Sequence, residues 1–205
     1  MHARTQFRLA MLRNGYQPLL NDCKRPIEKG WQRKTVGEAE VLFWDRSVYL
    51  TTGMKIDGDL AVIDADIRDK ALIDALIDAL DRRYPELFVR GLVRHAGAVK
   101  QAWFVRAQEP FRSLRSRKWT RGDPDDLEAE THQVECFSSR TTRQFGVDGP
   151  HSRDGDEILS VYQFVDDASP ATVPRSELPM LPKAAFAATC SKRSPGTPDC
   201  RSSSK

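Results

Sequence analysis

Residues 60–67, Leu-Ala-Val-Ile-Asp-Ala-Asp-Ile, combine residue types and spacing that can do chemistry. Their aliphatic content predicts a strand. Side chains alternate faces along a strand, so Ala61, Ile63, Ala65 and Ile67 point one way while Val62, Asp64 and Asp66 point the other. The apolar face can enter a core while both carboxylates project from the opposite surface. Residues two apart on a strand are separated by roughly 6.5–7 Å, so two carboxylates can lean onto one hard cation or bridge two. Mg²⁺ takes oxygen ligands and keeps several waters, which leaves positions for substrate phosphates. Two such ions about 3.5–4 Å apart can activate an attacking hydroxyl and stabilise a leaving group. A bare Asp-x-Asp is more often the solvated face of an edge strand, although two close carboxylates without a cation repel one another.

The elements around this strand must position it. A helix is expected over residues 5–13, with Phe7, Ala10 and Met11 on one face and Asn14-Gly15 as its stop. Residues 16–20 read as a short strand, and residues 21–34 as a polar loop carrying Lys24, Arg25, Pro26, Lys29, Gly30 and Trp31. A short helix over 36–44 and a strand over 47–52, ending at Gly53, follow. Asp57-Gly58 is a turn signal before the acidic strand. Beyond it Asp69 can cap a helix on which Leu72, Ile73, Leu76, Ile77 and Leu80 make an amphipathic stripe. Residues 88–94, 101–106, 132–137 and 143–147 are further strand candidates. This order points to an α+β domain with a mixed or antiparallel sheet over residues 1–188. Residues 189–205 turn to Ser, Pro, Lys and Arg, the composition of a disordered basic tail. There is no internal repeat.

A chain of 205 residues can bury a sizeable core, and its net charge of +3 is too small to announce nucleic-acid binding. No apolar run approaches the roughly 20 residues of a membrane helix. Cys23, Cys136, Cys190 and Cys200 form no C-x-x-C pair, so neither a zinc site nor a disulfide framework is indicated. A cytoplasmic protein with reduced thiols and no membrane partner is expected.

Several segments stand in a telling order: residues 15–20 (Gly-Tyr-Gln-Pro-Leu-Leu), Lys24-Arg25-Pro26, residues 29–32 (Lys-Gly-Trp-Gln), Trp44, Thr52-Gly53 and Asp64-Ala65-Asp66. Residues 94–100 (Arg-His-Ala-Gly-Ala-Val-Lys), 132–135 (His-Gln-Val-Glu) and 143–151 (Arg-Gln-Phe-Gly-Val-Asp-Gly-Pro-His) continue it. Together these resemble the bifunctional primase/polymerase amino-terminal domain of the archaeo-eukaryotic primase superfamily, found in phages and plasmids. The similarity runs from about residue 15 to 151, and more weakly to about 181; each element is unspecific and their order carries it.

The resemblance implies an RRM-like mixed or antiparallel sheet with an amino-terminal α/β elaboration. It implies template-directed nucleotidyl transfer by a DNA primase and/or polymerase, using Mg²⁺ or Mn²⁺ and nucleoside triphosphates. Asp64, Asp66 and Glu135 would be the catalytic, metal-binding carboxylates, and Lys100, Arg94 and Lys24 would contact the triphosphate. Single-stranded DNA template, a primer-template and a separate replicative helicase are the implied partners. The chain departs from the Ser-x-His signature that many members carry in the second motif and has Lys100 in the family's lysine variant. A noncatalytic nucleotide or nucleic-acid binder of the same fold therefore stands as the alternative, with a metal-dependent nuclease behind it. His95 reads as a surface residue and His132 as packing; His151 matches a family histidine without a derived role.

For template contacts the basic run Arg106, Arg112, Arg115, Arg117, Lys118 and Arg121, with Phe111 and Trp119 among it, can combine phosphate contacts with base stacking. Asp123, Asp125, Asp126, Glu128 and Glu130 follow at once and could neutralise it as a hairpin.

Overall fold

The computed structural model describes residues 1–96, 99–120, 131–155 and 157–191. Helix α1 (Ala3–Arg13) ends at Asn14, and Gly15, at φ 85°, turns the chain into β1 (Gln17–Asp22). Arg25–Pro26 folds back on it as β2; then come α2 (Glu38–Phe43), β3 (Thr51–Ile56) and β4 (Leu60–Asp66). Helices α3 (Lys70–Arg83) and α4 (Glu86–Arg90) lead to β5 (Leu92–Ala96) and β6 (Gln101–Ala107). Short β7 (Leu114–Arg115) and β8 (Trp119–Thr120) precede β9 (Thr131–Ser138), β10 (Arg143–Asp148), β11 (Pro150–Asp154) and β12 (Glu157–Phe164). Last come β13 (Met180–Leu181) and α5 (Lys183–Thr189).

The strands form a small sheet, β10-β3-β1-β2, and a large one, β11-β12-β5-β6-β4-β9-β7. Strand β8 continues alongside β9, and β13 lies alongside β6 as the one parallel pairing among the described residues. The protein is thus α+β with antiparallel sheets, as expected. Gly149 alone separates β10, in the small sheet, from β11, in the large one. Its φ of 86° and the backbone of Leu50, 2.4 Å from where a Cβ would sit, leave no room for a side chain. The large sheet is curled into a half-barrel, and one of its faces packs on the small sheet.

Packing follows the strand alternation. One face of the large sheet (Ala61, Ile63, Ala65, Trp103, Val105, Val134, Cys136) buries against Ile73 and Leu80 of α3, Leu87 of α4 and Phe186 of α5. The other face (Leu60, Val62, Ala102, Phe104, Phe137) buries against Met54, Ile56, Phe145 and Val147 of the small sheet. Leu9, Leu20, Val36, Val41 and Trp44 close the far side of the small sheet under α1 and α2. Helix α3 starts as expected, with the Asp69 carboxylate accepting from the Leu72 N–H at 3.1 Å.

Several boundaries differ. The strand expected at 47–52 begins at Thr51 and runs to Ile56, because Thr52 to Lys55 find partners on β1 and β10 while Val48 is 81% exposed. Residues 88–90 belong to helix α4: Pro85 opens it and Leu87 anchors it in the core, which outweighs the strand preference of Phe88 and Val89. The polar loop contains β2 and a 3₁₀ turn at Trp31–Arg33. Strands β11 and β12 and helix α5 were not expected. The boundary foreseen at 188/189 falls in the last turn of α5, Cys190 is buried beyond it, and residues 192–205 lie outside the described residues. Cys136 and Cys190 are free thiols whose sulfurs touch at 3.3 Å, a proximity their spacing did not suggest. No helix among the described residues is long and apolar enough to cross a membrane.

The segment between β12 and β13 ties distant turns together through Arg175. Its guanidinium donates to Asp59 Oδ1 (2.6 and 2.8 Å), to Asp57 Oδ1 (2.8 Å) and to the Asp57 carbonyl (2.7 Å). Its backbone N–H donates to the Asn14 carbonyl, and Arg106 shares Asp59. Removing Arg175 leaves two half-buried carboxylates short of a partner. Arg175→Ala should lower the unfolding free energy by about 2 kcal/mol in urea melts; a loss below about 0.5 kcal/mol, the surface-pair range, would show the clamp to be incidental.

Candidate active site

Asp64 lies opposite Glu135 on β9 and opposite Ala102 on β6; Ala102 lies opposite Arg94 on β5, and Glu135 opposite Arg115 on β7. Directly opposed residues of antiparallel strands share a face. The fold therefore lays out a transverse row, Arg115, Glu135, Asp64, Ala102, Arg94, with Asp66 one step along the same face. β4 is a central strand, not an edge. Its carboxylate face is also not an outer surface: Leu60 and Val62 on that face are fully buried between the sheets, and only from Asp64 onward do the sheets part.

A cavity of about 250 Å³ opens there, lined among others by Asp64, Asp66, Lys24, Arg94, Lys100 and His151. Five of the six metal and triphosphate candidates thus meet at one place. The sixth, Glu135, stands beside Asp64 in the row, with Arg115 Nε 2.5 Å from its Oε1. Lys100 Nζ is ion-paired with Asp66.

Arg94 is buried. It donates to the Gly146 carbonyl at 2.6 Å and stacks over Tyr162, 4.8 Å from the ring centre, with Phe145 and Phe104 further off. Its Nε has no hydrogen-bond partner among the described residues, so a buried cationic donor is left with capacity beside the cavity. Burial lowers the Arg94 pKa, and the Asp64 charge works against that. Burial pushes Asp64 up to about 6; Arg94 and Lys100 oppose the rise, while Asp66 and Glu135 add to it. His151 Nδ1 is 3.0 Å from Ser160 Oγ and its ring meets Tyr162 edge-on. Burial, with Lys24, Arg94 and Lys100 nearby, brings it down to about 4, so it is neutral at pH 7.

Two glycines keep the site open. Gly53 and Gly146 are register partners between β3 and β10. A Cβ on Gly146 would sit 2.2 Å from the Tyr162 ring, and one on Gly53 would sit 2.6 Å from the Asn21 side chain. Asn21 donates to Gln144 Oε1 at 2.9 Å, and Gln144 donates to the Lys24 carbonyl at 2.6 Å. That relay fixes the β1–β2 turn, where Cys23 adopts φ 47°, and so holds Lys24 at the cavity rim. Tyr162 and Gln144 are site residues that residue-by-residue reading missed. Gln144 lies in the segment 143–151, where its residue type alone signals no role, and Tyr162 lies on a mostly exposed strand with no local signal.

The basic cluster divides. Arg112, Arg115, Arg117 and Lys118 are exposed along the β7–β8 segment beside β9. Trp119 is half-exposed, packed against His132 and the large core. Arg106 lies at the opposite end of β6, paired with Asp59. Arg121, Gly97, Ala98 and the acidic stretch 123–130 lie outside the described residues. His132 is buried packing, accepting from the Arg68 N–H.

As donors, three carboxylates on one face of neighbouring strands suit a hard divalent ion that keeps waters for a phosphate. As placed they do not converge: no three Asp, Glu, His or Cys side chains among the described residues approach closely enough to share an ion. The donor set suits such an ion in chemistry and in face, while Asp66 and Glu135 are ion-paired with Lys100 and Arg115. No protein-family model matches the chain, and no curated protein matches it.

Asp64 provides a sign-specific test. Its folded pKa of about 6 lies above the ordinary 3.8, so ionising it costs the folded state nothing well below pH 4 and the full amount above about pH 6. In divalent-free buffer, Asp64→Asn should stabilise the protein at pH 8 by at most about 3 kcal/mol and give no gain near pH 4. Thermal melts at the two pH values check this; a loss of stability at pH 8 would contradict it.

Proposed function

We propose that this chain is a metal-dependent nucleotidyl transferase of the archaeo-eukaryotic primase type, a DNA primase or polymerase domain. The observation that carries the reading is the register of Asp64 with Glu135, with Asp66 on the same face, beside a cavity holding Lys24, Arg94 and Lys100. Three carboxylates flanked by three cations are complementary to a divalent ion carrying a polyphosphate. The α+β sheet with helices on one face and an α/β layer on the other is compatible with the RRM-like primase fold and its amino-terminal elaboration.

In this reading a bound Mg²⁺ or Mn²⁺ would polarise the phosphoryl group and favour deprotonation of the attacking 3′ hydroxyl. Asp64, Asp66 and Glu135 would hold it. Arg94, rigid in its aromatic surround, would meet the triphosphate with its unpartnered Nε; Lys100, released from Asp66, and Lys24 would take the outer phosphates. Neutral His151 and Tyr162 would shape the wall opposite Asp64. Single-stranded template would run past Arg112, Arg115, Arg117 and Lys118, and a separate helicase would supply that strand.

A second reading, a nucleotide- or DNA-binding module without turnover, is favoured by the two ion pairs that occupy Asp66 and Glu135 and by the lack of Ser-x-His. One experiment separates them. Purified protein is incubated with single-stranded template, labelled nucleoside triphosphates and Mg²⁺ or Mn²⁺, with and without an annealed primer, beside folded Asp64→Ala/Asp66→Ala. Products that fall by at least about 10³-fold in the variant support the transferase. Unprimed products make it a primase, and primed extension alone a polymerase. No product with template still bound selects the binding module, and template degradation without nucleotides selects a nuclease.

A further inference from the structure

Arg115 has a position that a simple phosphate contact does not need. Strand β7 is two residues long and sets Arg115 opposite Glu135, the residue next to Asp64 in the row. Its backbone is pinned by the next residue: the Ser116 N–H donates to the Val134 carbonyl at 2.8 Å, the Ser116 hydroxyl accepts from the Val134 N–H at 3.0 Å, and Gln133 donates to the Ser116 carbonyl at 3.0 Å. The Arg115 side chain is 52% exposed, against 23% for Glu135. A pinned backbone with a long, exposed side chain leaves the guanidinium room to change partners.

Resting on the nucleotidyl-transfer reading of the site, we propose that Arg115 is a positioning residue that couples metal binding to single-stranded DNA binding. The Arg115 guanidinium is ion-paired with Glu135. A divalent ion that takes Glu135 expels it, and the freed guanidinium joins Arg112, Arg117 and Lys118 on the phosphate backbone. Metal and DNA then raise each other's affinity by the same factor, since such coupling is reciprocal. Because the pair is partly exposed, the factor is modest, about three- to tenfold.

The test needs no turnover. Mn²⁺ is titrated calorimetrically into the DNA-free full chain, and labelled oligo-dT binding is followed by anisotropy with and without Mn²⁺ at constant ionic strength. Arg115→Gln should bind Mn²⁺ about three- to tenfold more tightly, because the internal competitor is gone, while Arg117→Gln stays within about twofold of wild type. Wild type should gain the same factor in DNA affinity on adding Mn²⁺, and Arg115→Gln should lose that gain. Arg117→Gln should weaken DNA binding equally in both conditions. Unchanged Mn²⁺ affinity in Arg115→Gln, or a retained gain, overturns the coupling alone, provided wild type binds Mn²⁺ and Asp64→Asn does not. If no variant binds Mn²⁺, the nucleotidyl-transfer reading fails and takes the coupling with it.

Discussion

A strand packed on both faces tolerates charge only where its packing stops. Through Ile63, strand β4 has no accessible surface, with helices on one side and the small sheet on the other. A carboxylate any earlier on this strand would be desolvated without compensation, at several kcal/mol. Asp64 falls where the sheets separate, and the rest of the site consists of what lets that seam exist. Ala102 is small enough for Arg94 and Asp64 to sense one another across β6. Gly53 and Gly146 give way to Tyr162, Asn21 and Gln144. Gly149 lets the chain leave one sheet for the other and close the wall.

Charge in the seam is balanced locally. Arg94 is held by a carbonyl and aromatic faces, with no direct ion pair among the described residues. Lys100 and Arg115 are different: they sit on long, partly exposed side chains and engage the outer acids directly. The site therefore has a buried cation at its floor and partly exposed, ion-paired cations at its rim. In the proposed reading, preorganised charge at the floor would cost little reorganisation on meeting a polyphosphate, while the rim would exchange partners.

How much of this was legible beforehand follows from range. Strand β4 and helix α3 were readable because alternation, 3.6-residue periodicity and the Asp69 cap agree locally. Residues 88–90 misled because Phe and Val suit a strand, while Pro85 and the burial of Leu87 decide for a helix. Strands β11 and β12 lie at a sheet edge, where neither face is fully buried, so no clean alternation marks them. The juxtaposition of Asp64 with Glu135 depends on register between distant strands; it was named from the order of motifs, not from spacing. The contact of Cys136 with Cys190, and the reach of Arg106 away from the other arginines, depend on tertiary packing that composition does not encode.

The Arg175 clamp bears on how the chain is made. Its partners Asn14, Asp57 and Asp59 leave the ribosome early, whereas Arg175 emerges after every strand of the site. β13, which completes the flank of β6, follows it. Until then the two carboxylates of the β3–β4 turn have only Arg106, on Asp59, and β6 has an open edge beyond Phe104. Cotranslational folding of the amino-terminal half thus waits on a late segment. A nascent chain stalled before residue 175 would present its sheet edge to the cell's chaperones for longer than one stalled after it.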